Sequence, residues 1–208
     1  MSLKAMSLKA KKKWLVSIGI IILLLGLLGV WFLGGEGNGL SGTPTLAIET
    51  PQKVSIEDTK EITLDMTIST LGNATYPAAS MSISFDPSRL EFLGIEEGNV
   101  FIRSGENGVP QKLPEWSCNP EQCNKTGRIN IMYLDTTGGR NSFSNDLLAE
   151  EDNVVLRLKF RLRGSVRKGD VCDLIFEDAV FAASDEIESL AMAHDTLKVR
   201  NSKIVVGE

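Results

Sequence analysis

A catalytic centre needs a nucleophile with its base, a pair of acids across a cleft, or a metal-binding set, and this chain is poor in all three. Its single histidine, His194, has no serine or cysteine motif beside it. A nucleophile activated by imidazole is therefore not written here, and a surface loop is the plainest place for that side chain. Acids are paired at Glu96-Glu97 and in Glu150-Glu151-Asp152. A glycosidase needs two carboxyl groups about 5–10 Å apart across a cleft, and nothing in the spacing sets two of these opposite each other. Asp135, Asp185 and Glu186 offer the hard oxygens that calcium takes, but no loop has EF-hand spacing. Cys118 and Cys123 enclose Asn119-Pro120-Glu121-Gln122, a run of turn formers. In an oxidising compartment a Cys118–Cys123 disulfide closes that run into a small loop. Two cysteines supply only half a tetrahedral zinc shell, with the one histidine far off in sequence. Cys172 alternates with polar neighbours and reads as a buried thiol. The expectation is no enzyme, no resident metal and no cofactor. Asn73-Ala74-Thr75 and Asn124-Lys125-Thr126 match the N-glycosylation sequon, a motif frequent by chance.

The elements that hold these residues read as β throughout, by period-two alternation. Ile62, Leu64, Met66 and Ile68 share one face of a strand within Glu61–Thr70. Leu156, Leu158, Phe160 and Leu162 alternate with Arg157, Lys159 and Arg161 in Val154–Leu162. Met81, Ile83 and Phe85 alternate with Ser80, Ser82 and Ser84; Ile129, Ile131 and Tyr133 with Asn130 and Met132; Cys172, Leu174 and Phe176 with Asp173, Ile175 and Glu177. Shorter strands are expected at Thr45–Glu49, Leu90–Ile95, Val100–Arg103 and Leu197–Val206. Turn chemistry separates them at Asp86-Pro87, Glu97-Gly98-Asn99, Gly138-Gly139 and Lys168-Gly169-Asp170. No long amphipathic helix is visible, and Ser142–Glu151 has room for one helical turn. About nine short strands, each with one apolar face, predict a two-sheet sandwich.

Ahead of this domain lies a run of about twenty residues without a charge, Trp14 to Leu33. As an α-helix it spans roughly 30 Å, the thickness of a bilayer's hydrocarbon core. Five lysines and no acid precede it, within a tail whose first ten residues are a duplicated MSLKA. The positive-inside rule puts residues 1–13 in the cytoplasm and the C-terminal domain outside the cell. A cleaved signal peptide is the rival reading, but its apolar core is usually shorter, about 7–15 residues, and ends in a small-residue site. Residues 34–44, rich in glycine, form a linker, and 45–208 the folded domain, large enough for a core of its own. The chain carries 22 basic and 27 acidic residues; without the tail lysines, 17 basic residues face 27 acids. So acidic a domain repels nucleic acid.

The order of the motifs suggests a family. Met81 to Gly98 (MSISFDPSRLEFLGIEEG) resembles the strand–turn–strand of cohesin domains, with their aromatic-Asp-Pro turn. Gly127 to Gly139 (GRINIMYLDTTGG) is similar to the family's central strand and the loop after it, and Leu147–Leu162 to the next loop and strand. Val171 to Asp185 (VCDLIFEDAVFAASD) and Ile204-Val205-Val206-Gly207 resemble the closing strands. The resemblance covers nearly all of residues 45–207 and implies a nine-strand jelly-roll sandwich that docks proteins and has no active site. Its implied partners are dockerin modules, small calcium-binding helical units of secreted enzymes, so calcium is expected on the partner. Carried onto this chain, the docking residues are Ala78, Ser80 and Ser82, then Asn130, Met132 and Leu134, then Leu148, Glu151 and Asn153. Cohesins for the best-known dockerins tend to carry Asn and Asp at the positions of Ala78 and Ser80. That departure leaves two readings: another dockerin type, or lost dockerin binding.

The resemblance thus implies a membrane-anchored docking module that tethers secreted proteins or enzymes in a polysaccharide-degrading context. Two other classes share the architecture. One is a carbohydrate-binding sandwich, which needs exposed aromatics in line, and Trp116, Tyr76 and Tyr133 fall mostly on apolar faces. The other is a structural subunit of a cell-surface assembly, which predicts self-association.

Overall fold

The structure, a computed structural model, describes residues 42–51, 54–55, 61–100, 116–139, 141–149, 152–184 and 191–207. The apolar run 14–33, the linker up to residue 41, Glu151, Asp185, Glu186 and most of the strand expected at Val100–Arg103 lie outside them. Among the described residues no helix is long and apolar enough to cross a membrane. Leu40–Glu208 forms a compact unit.

Its described residues form ten strands: β1 (Thr45–Ile48), β2 (Val54–Ser55), β3 (Ile62–Ile68), β4 (Ala78–Ser84), β5 (Leu90–Glu97), β6 (Arg128–Leu134), β7 (Val154–Leu162), β8 (Val171–Ala182), β9 (Lys198–Arg200) and β10 (Ser202–Gly207). A short helix, α1 (Pro120–Thr126), precedes β6, and one 3₁₀ turn, Asn145–Leu147, precedes β7. Sheet I has the order β5-β7-β3-β1-β9 and sheet II the order β2-β10-β8-β4-β6. The alternating residues bury their apolar sets between the sheets: Leu64, Met66, Leu158 and Phe160 from sheet I meet Met81, Ile83, Ile131 and Leu174 from sheet II in one continuous core. Alternation of period two makes this outcome local, since each strand has one face fit for the interior.

The ten described strands differ from the expected nine in three ways: the strand expected at Val100–Arg103 lies mostly outside the described residues, and two others are gained. Val54–Ser55 adds a two-residue edge, parallel to β10. The run Leu197–Val206, read as one strand, is two: β9 pairs with β1 in sheet I, whereas β10 pairs with β8 in sheet II. The chain changes sheet at Asn201, whose side-chain oxygen accepts from the amide of Phe176 at 2.9 Å.

The second correction concerns residues 118–126. In place of the small loop expected there, the run between Cys118 and Cys123 winds into α1, and both cysteines are free thiols in this structure. Asn119 is the N-cap, its side chain accepting from the amide of Gln122 at 3.1 Å, and Pro120 occupies the first turn, where its missing N–H costs nothing. Cys118 and Cys123 then hold the flanking and fourth helical positions of a hydrophobic staple, Cys123 buried and Cys118 packed against the core. Burial, and secondarily Cys123 itself, push the Cys118 thiol above its usual pKa. Gly127 ends the helix in the left-handed conformation, φ 68°.

Candidate functional site

The outer face of sheet II is assembled in register from β6, β4 and β8. Across the three strands, Leu134 stands beside Ala78 and Ala182; Met132 beside Ser80 and Val180; Asn130 beside Ser82 and Asp178. Six of the nine expected docking residues are thus brought together on one face: Ala78, Ser80, Ser82, Asn130, Met132 and Leu134. Successive rows lie about 6.7 Å apart, two residues along a strand. The upper rows are apolar or small. In the lower row the hydroxyl of Ser82 donates to the side-chain oxygen of Asn130 at 2.8 Å.

Of the other three, two lie among the described residues. Asn153 is buried, at 4% exposure. Its amide clasps the backbone of Ala149, accepting from the N–H at 2.7 Å and donating to the carbonyl at 2.8 Å. Leu148 packs against the core, and Glu151 lies outside the described residues.

Among the described residues the exposed large apolar side chains are Met132, Leu134, Val171, Ile175 and Val199. The first four belong to the outer face of sheet II, and Met132 and Leu134 are the most exposed, at 59% and 60%. A cluster of rings supports their end of the sheet from within. Tyr133 lies 5.2 Å from Trp116 and 5.1 Å from Phe143, which is 5.4 Å from Phe181, itself 6.3 Å from Tyr76. The hydroxyl of Tyr133 donates to the carbonyl of Asn141, and burial drives its pKa upward. The aromatics a sugar-binding strip would need are spent on this cluster, and none is exposed among the described residues.

β8 supplies the charge of the face through a β-bulge. Ser82 pairs with Asp178 but Ile83 with Phe176, so Glu177 is the additional residue. Regular alternation would turn one of two consecutive acids inward; the bulge turns both out, between buried Phe176 and Ala179. Glu177 is bound by Arg128 of β6 at 2.5 Å. Asp178 has His194 at 3.9 Å.

Elsewhere the polar side chains serve the fold. Asp135 accepts from the amide and hydroxyl of Thr137, the amide of Gly139 and the hydroxyl of Ser142. Desolvation raises its pKa, but those bonds together outweigh it and the net shift is downward. Among the described residues there is no cluster of three metal-ligating side chains. Asn124 clasps β5, accepting from the amide of Phe92 at 2.9 Å and donating to its carbonyl at 2.8 Å, so its sequon is locked into the fold. Asn73, in the other sequon, is exposed.

No family model matches the sequence, and no curated protein matches it. Among solved structures the match is consistent. The third cohesin of ScaC from Acetivibrio cellulolyticus, solved with the ScaB dockerin, is 12% identical, with 79% of this chain and 99% of that chain covered and a TM-score of 0.57. The OlpA cohesin–Doc918 complex from Clostridium thermocellum gives 17% identity, the same coverages and 0.58. The sixth cohesin of scaffoldin B from Acetivibrio cellulolyticus, with a Cel5 dockerin mutant, gives 18%, the same coverages and 0.57. The chain has the cohesin fold. At such identities the likeness is one of fold, and nearly the whole of each cohesin is accounted for by the sandwich described above. The cohesin architecture therefore stands on the arrangement of strands, since a sequence match is lacking.

Proposed function

We propose that this chain is a non-catalytic, cohesin-type docking module that holds a dockerin-type partner on the outer face of sheet II. The observation that carries the reading is the convergence of Ala78, Ser80, Ser82, Asn130, Met132 and Leu134 in adjoining rows, with Met132 and Leu134 bare to solvent. A specific interface puts an apolar centre inside a polar rim, and here Met132, Leu134, Ala78 and Val180 form the centre while Asn130, Ser82 and Asp178 form a rim. The rings beneath hold that centre rigid, which lowers the entropy lost on binding. The same reading takes residues 14–33 as a membrane anchor with the N-terminus cytoplasmic, so that docking tethers a secreted protein or enzyme to the cell surface. Polysaccharide degradation is the context that the cohesin likeness suggests.

The test is a pull-down with the Leu40–Glu208 unit, which carries the whole core. It is immobilised and offered the organism's own secreted proteins, first with calcium and then with chelator. The expected result is calcium-dependent capture of a protein bearing a dockerin-like segment, abolished by Met132→Asp. Retention of insoluble polysaccharide, or of a second copy of the chain, with no such capture would replace docking by one of the other two classes.

A further inference from the structure

One stretch of β8 has an edge that no strand covers. Its residues change neighbours along the chain: Val171 to Leu174 pair with β10, and those from Ile175 onward with β4. Each residue of an antiparallel strand turns its N–H and C=O to the same side, and the side alternates. The amide of Val206 donates to the carbonyl of Asp170 at 3.0 Å, and that of Phe176 to the side chain of Asn201 at 2.9 Å. The even-numbered residues of this half therefore address β10. Val171, Asp173 and Ile175 address the other side, where β4 stops at Ser84, opposite Ile175, and the chain turns away at Asp86-Pro87. The guanidinium of Arg89 donates to the carbonyl of Val171 at 3.2 Å. That leaves the N–H of Val171 and both backbone groups of Asp173 facing a notch of about 320 Å³, without a partner among the described residues. The edges of β5 and β6 are guarded by contrast. Asn124 clasps β5 at Phe92, and Ser117 exchanges two backbone bonds with Met132 of β6, at 2.8 and 3.0 Å.

The lining of the notch selects its occupant. Phe85 and Cys172, both of the core, form its inner wall. Val171 and Ile175, two of the exposed apolar side chains, stand at its rim. Carboxylates outnumber cations around it: Asp86 and Asp170 lie 3.3 and 3.9 Å from Arg89, and the exposed Asp173 stands opposite Lys203. A second copy of the chain paired edge to edge through Asp173 would set two carboxylates against each other, and like charges directly opposite destabilise a ladder. A basic strand meets no such cost. We infer that a partner protein adds an extended segment here, in the line of β4 and antiparallel to β8, the more stable sense of pairing. A lysine or arginine of that segment exchanges both backbone bonds with Asp173 and sets its cation beside the carboxylate. The next residue is apolar and turns inward onto Phe85 and Cys172. The one after it is aliphatic, lies beside Val171 and accepts from its N–H. In recognition by strand addition, main-chain bonds supply affinity and alternate side chains supply selectivity. The notch lies about 20 Å along β8 from the row of Met132 and Val180, and the inference does not rest on the docking reading.

The experiment titrates the full chain, isotope-labelled and held in nonionic detergent, with the peptide acetyl-Thr-Lys-Val-Val-Thr-amide and follows backbone amides by NMR. Saturable shifts are expected at the amides of Val171 and Asp173, with their hydrogen exchange slowed at least about tenfold at saturation. The same peptide N-methylated at its lysine lacks the N–H that the carbonyl of Asp173 accepts, and should not bind. Exchanging that lysine for glutamate should weaken binding at least about threefold, and the Asp173→Lys variant should reverse the preference. Should Asp173→Lys lower the thermal midpoint, Asp173→Asn takes its place and should level the two peptides. Met132→Asp should bind the lysine peptide as the wild type does. Amides of Val171 and Asp173 that stay unmoved at millimolar peptide would overturn the inference. So would equal binding of the N-methylated or the glutamate peptide, or binding lost on Met132→Asp. None of these outcomes bears on docking, which the pull-down tests separately.

Discussion

Sheet I sends charge outward from nearly every strand and pairs it across the ladder. Arg157 meets Asp65 at 2.9 Å, Lys159 meets Glu61 at 2.7 Å and Glu96 at 2.8 Å, Arg161 meets Glu91 at 3.4 Å, and Arg200 meets Glu49 at 2.8 Å. In sheet II, β4 offers outward only serines and an alanine, beside Met132 and Leu134 of the edge strand β6. Both faces look into water from the same core, so burial of the core does not explain the difference. Covering sheet I would strip water from a lattice of ions already paired, and desolvation of that kind rivals or exceeds whatever a partner returns. Covering the rows of Met132 and Leu134 in sheet II strips water from small and apolar groups, which binding favours. On the proposed docking reading, the paired lattice is the face kept free and the bare one the face that a partner covers.

The sharpest way to break the contrast is to charge the bare face. Met132→Asp with Leu134→Asp is expected to weaken docking by about a hundredfold or more, on the order of 3 kcal/mol, as for the central residues of an interface. Both side chains are exposed, so urea stability should stay within about 0.5 kcal/mol of wild type. Calorimetric titration of the captured partner and a denaturation curve read the two quantities separately. A large loss of stability would mean these residues hold the fold instead.

Next in size is the edge of sheet I. Asn124 occupies both hydrogen-bonding groups of Phe92 and donates also to the carbonyl of Pro120 at 2.9 Å. An edge strand so covered cannot pair with another chain. Asn124→Ala leaves those backbone groups without their partner, and should cost roughly 2–3 kcal/mol in urea while the affinity of the docking face stays unchanged. Light scattering should also show association on warming. A variant as stable as wild type would mean that water replaces the clasp.

Much of this contrast was legible in the sequence. The alternation of Met81, Ile83 and Phe85 with serines, and of Ile129, Ile131 and Tyr133 with Asn130 and Met132, fixes which side chains face out, since period two admits no other assignment. Three things were not legible. The bulge at Glu177 and Asp178 depends on how β8 pairs with β4, which no local pattern contains. Asn153 reads as an outward polar residue at the start of a strand, yet its amide substitutes for backbone partners at Ala149. Asn145 acts likewise, accepting from the amide of Leu71 and donating to the carbonyls of Leu71 and Gly72. Side-chain clasps of this type leave no periodicity behind. Helix α1 did announce itself, through Asn119, Pro120 and Gln122 at capping positions, but the two cysteines suggested a bridge across the same six residues.

A smaller effect is expected from breaking one rung of the lattice. Arg157→Ala removes the pair with Asp65 and a bond to the carbonyl of Glu97. Half-exposed pairs of this kind contribute about 0.5–1 kcal/mol. The loss should shrink toward zero in 1 M salt, where the Debye length falls to about 3 Å. Docking on the opposite face should be untouched, and any coupling seen in a double variant with Met132→Asp would contradict the independence of the two faces.

The smallest effect lies in the pH dependence of the same lattice. A hydrogen bond from Lys159, and then its charge, hold the carboxyl of Glu96 below its ordinary 4.5, while bonds to Glu61 and Glu96 hold Lys159 above its ordinary 10.5. A depressed carboxyl stabilises the fold above its unfolded pKa, and the contribution is lost as pH falls through the lower, folded value. A raised lysine stabilises below its unfolded pKa, and the contribution is lost as pH rises through the higher, folded one. One interaction therefore has two edges and a plateau between them. Lys159→Met should lower the urea midpoint by a constant amount across that plateau. The gap to wild type should narrow only below pH 4.5 and above pH 10.5. A gap that stayed unchanged in acid would mean Lys159 acts through its packed stem and not its charge, and the lattice would then be a hydrophobic cover with ions at its tips.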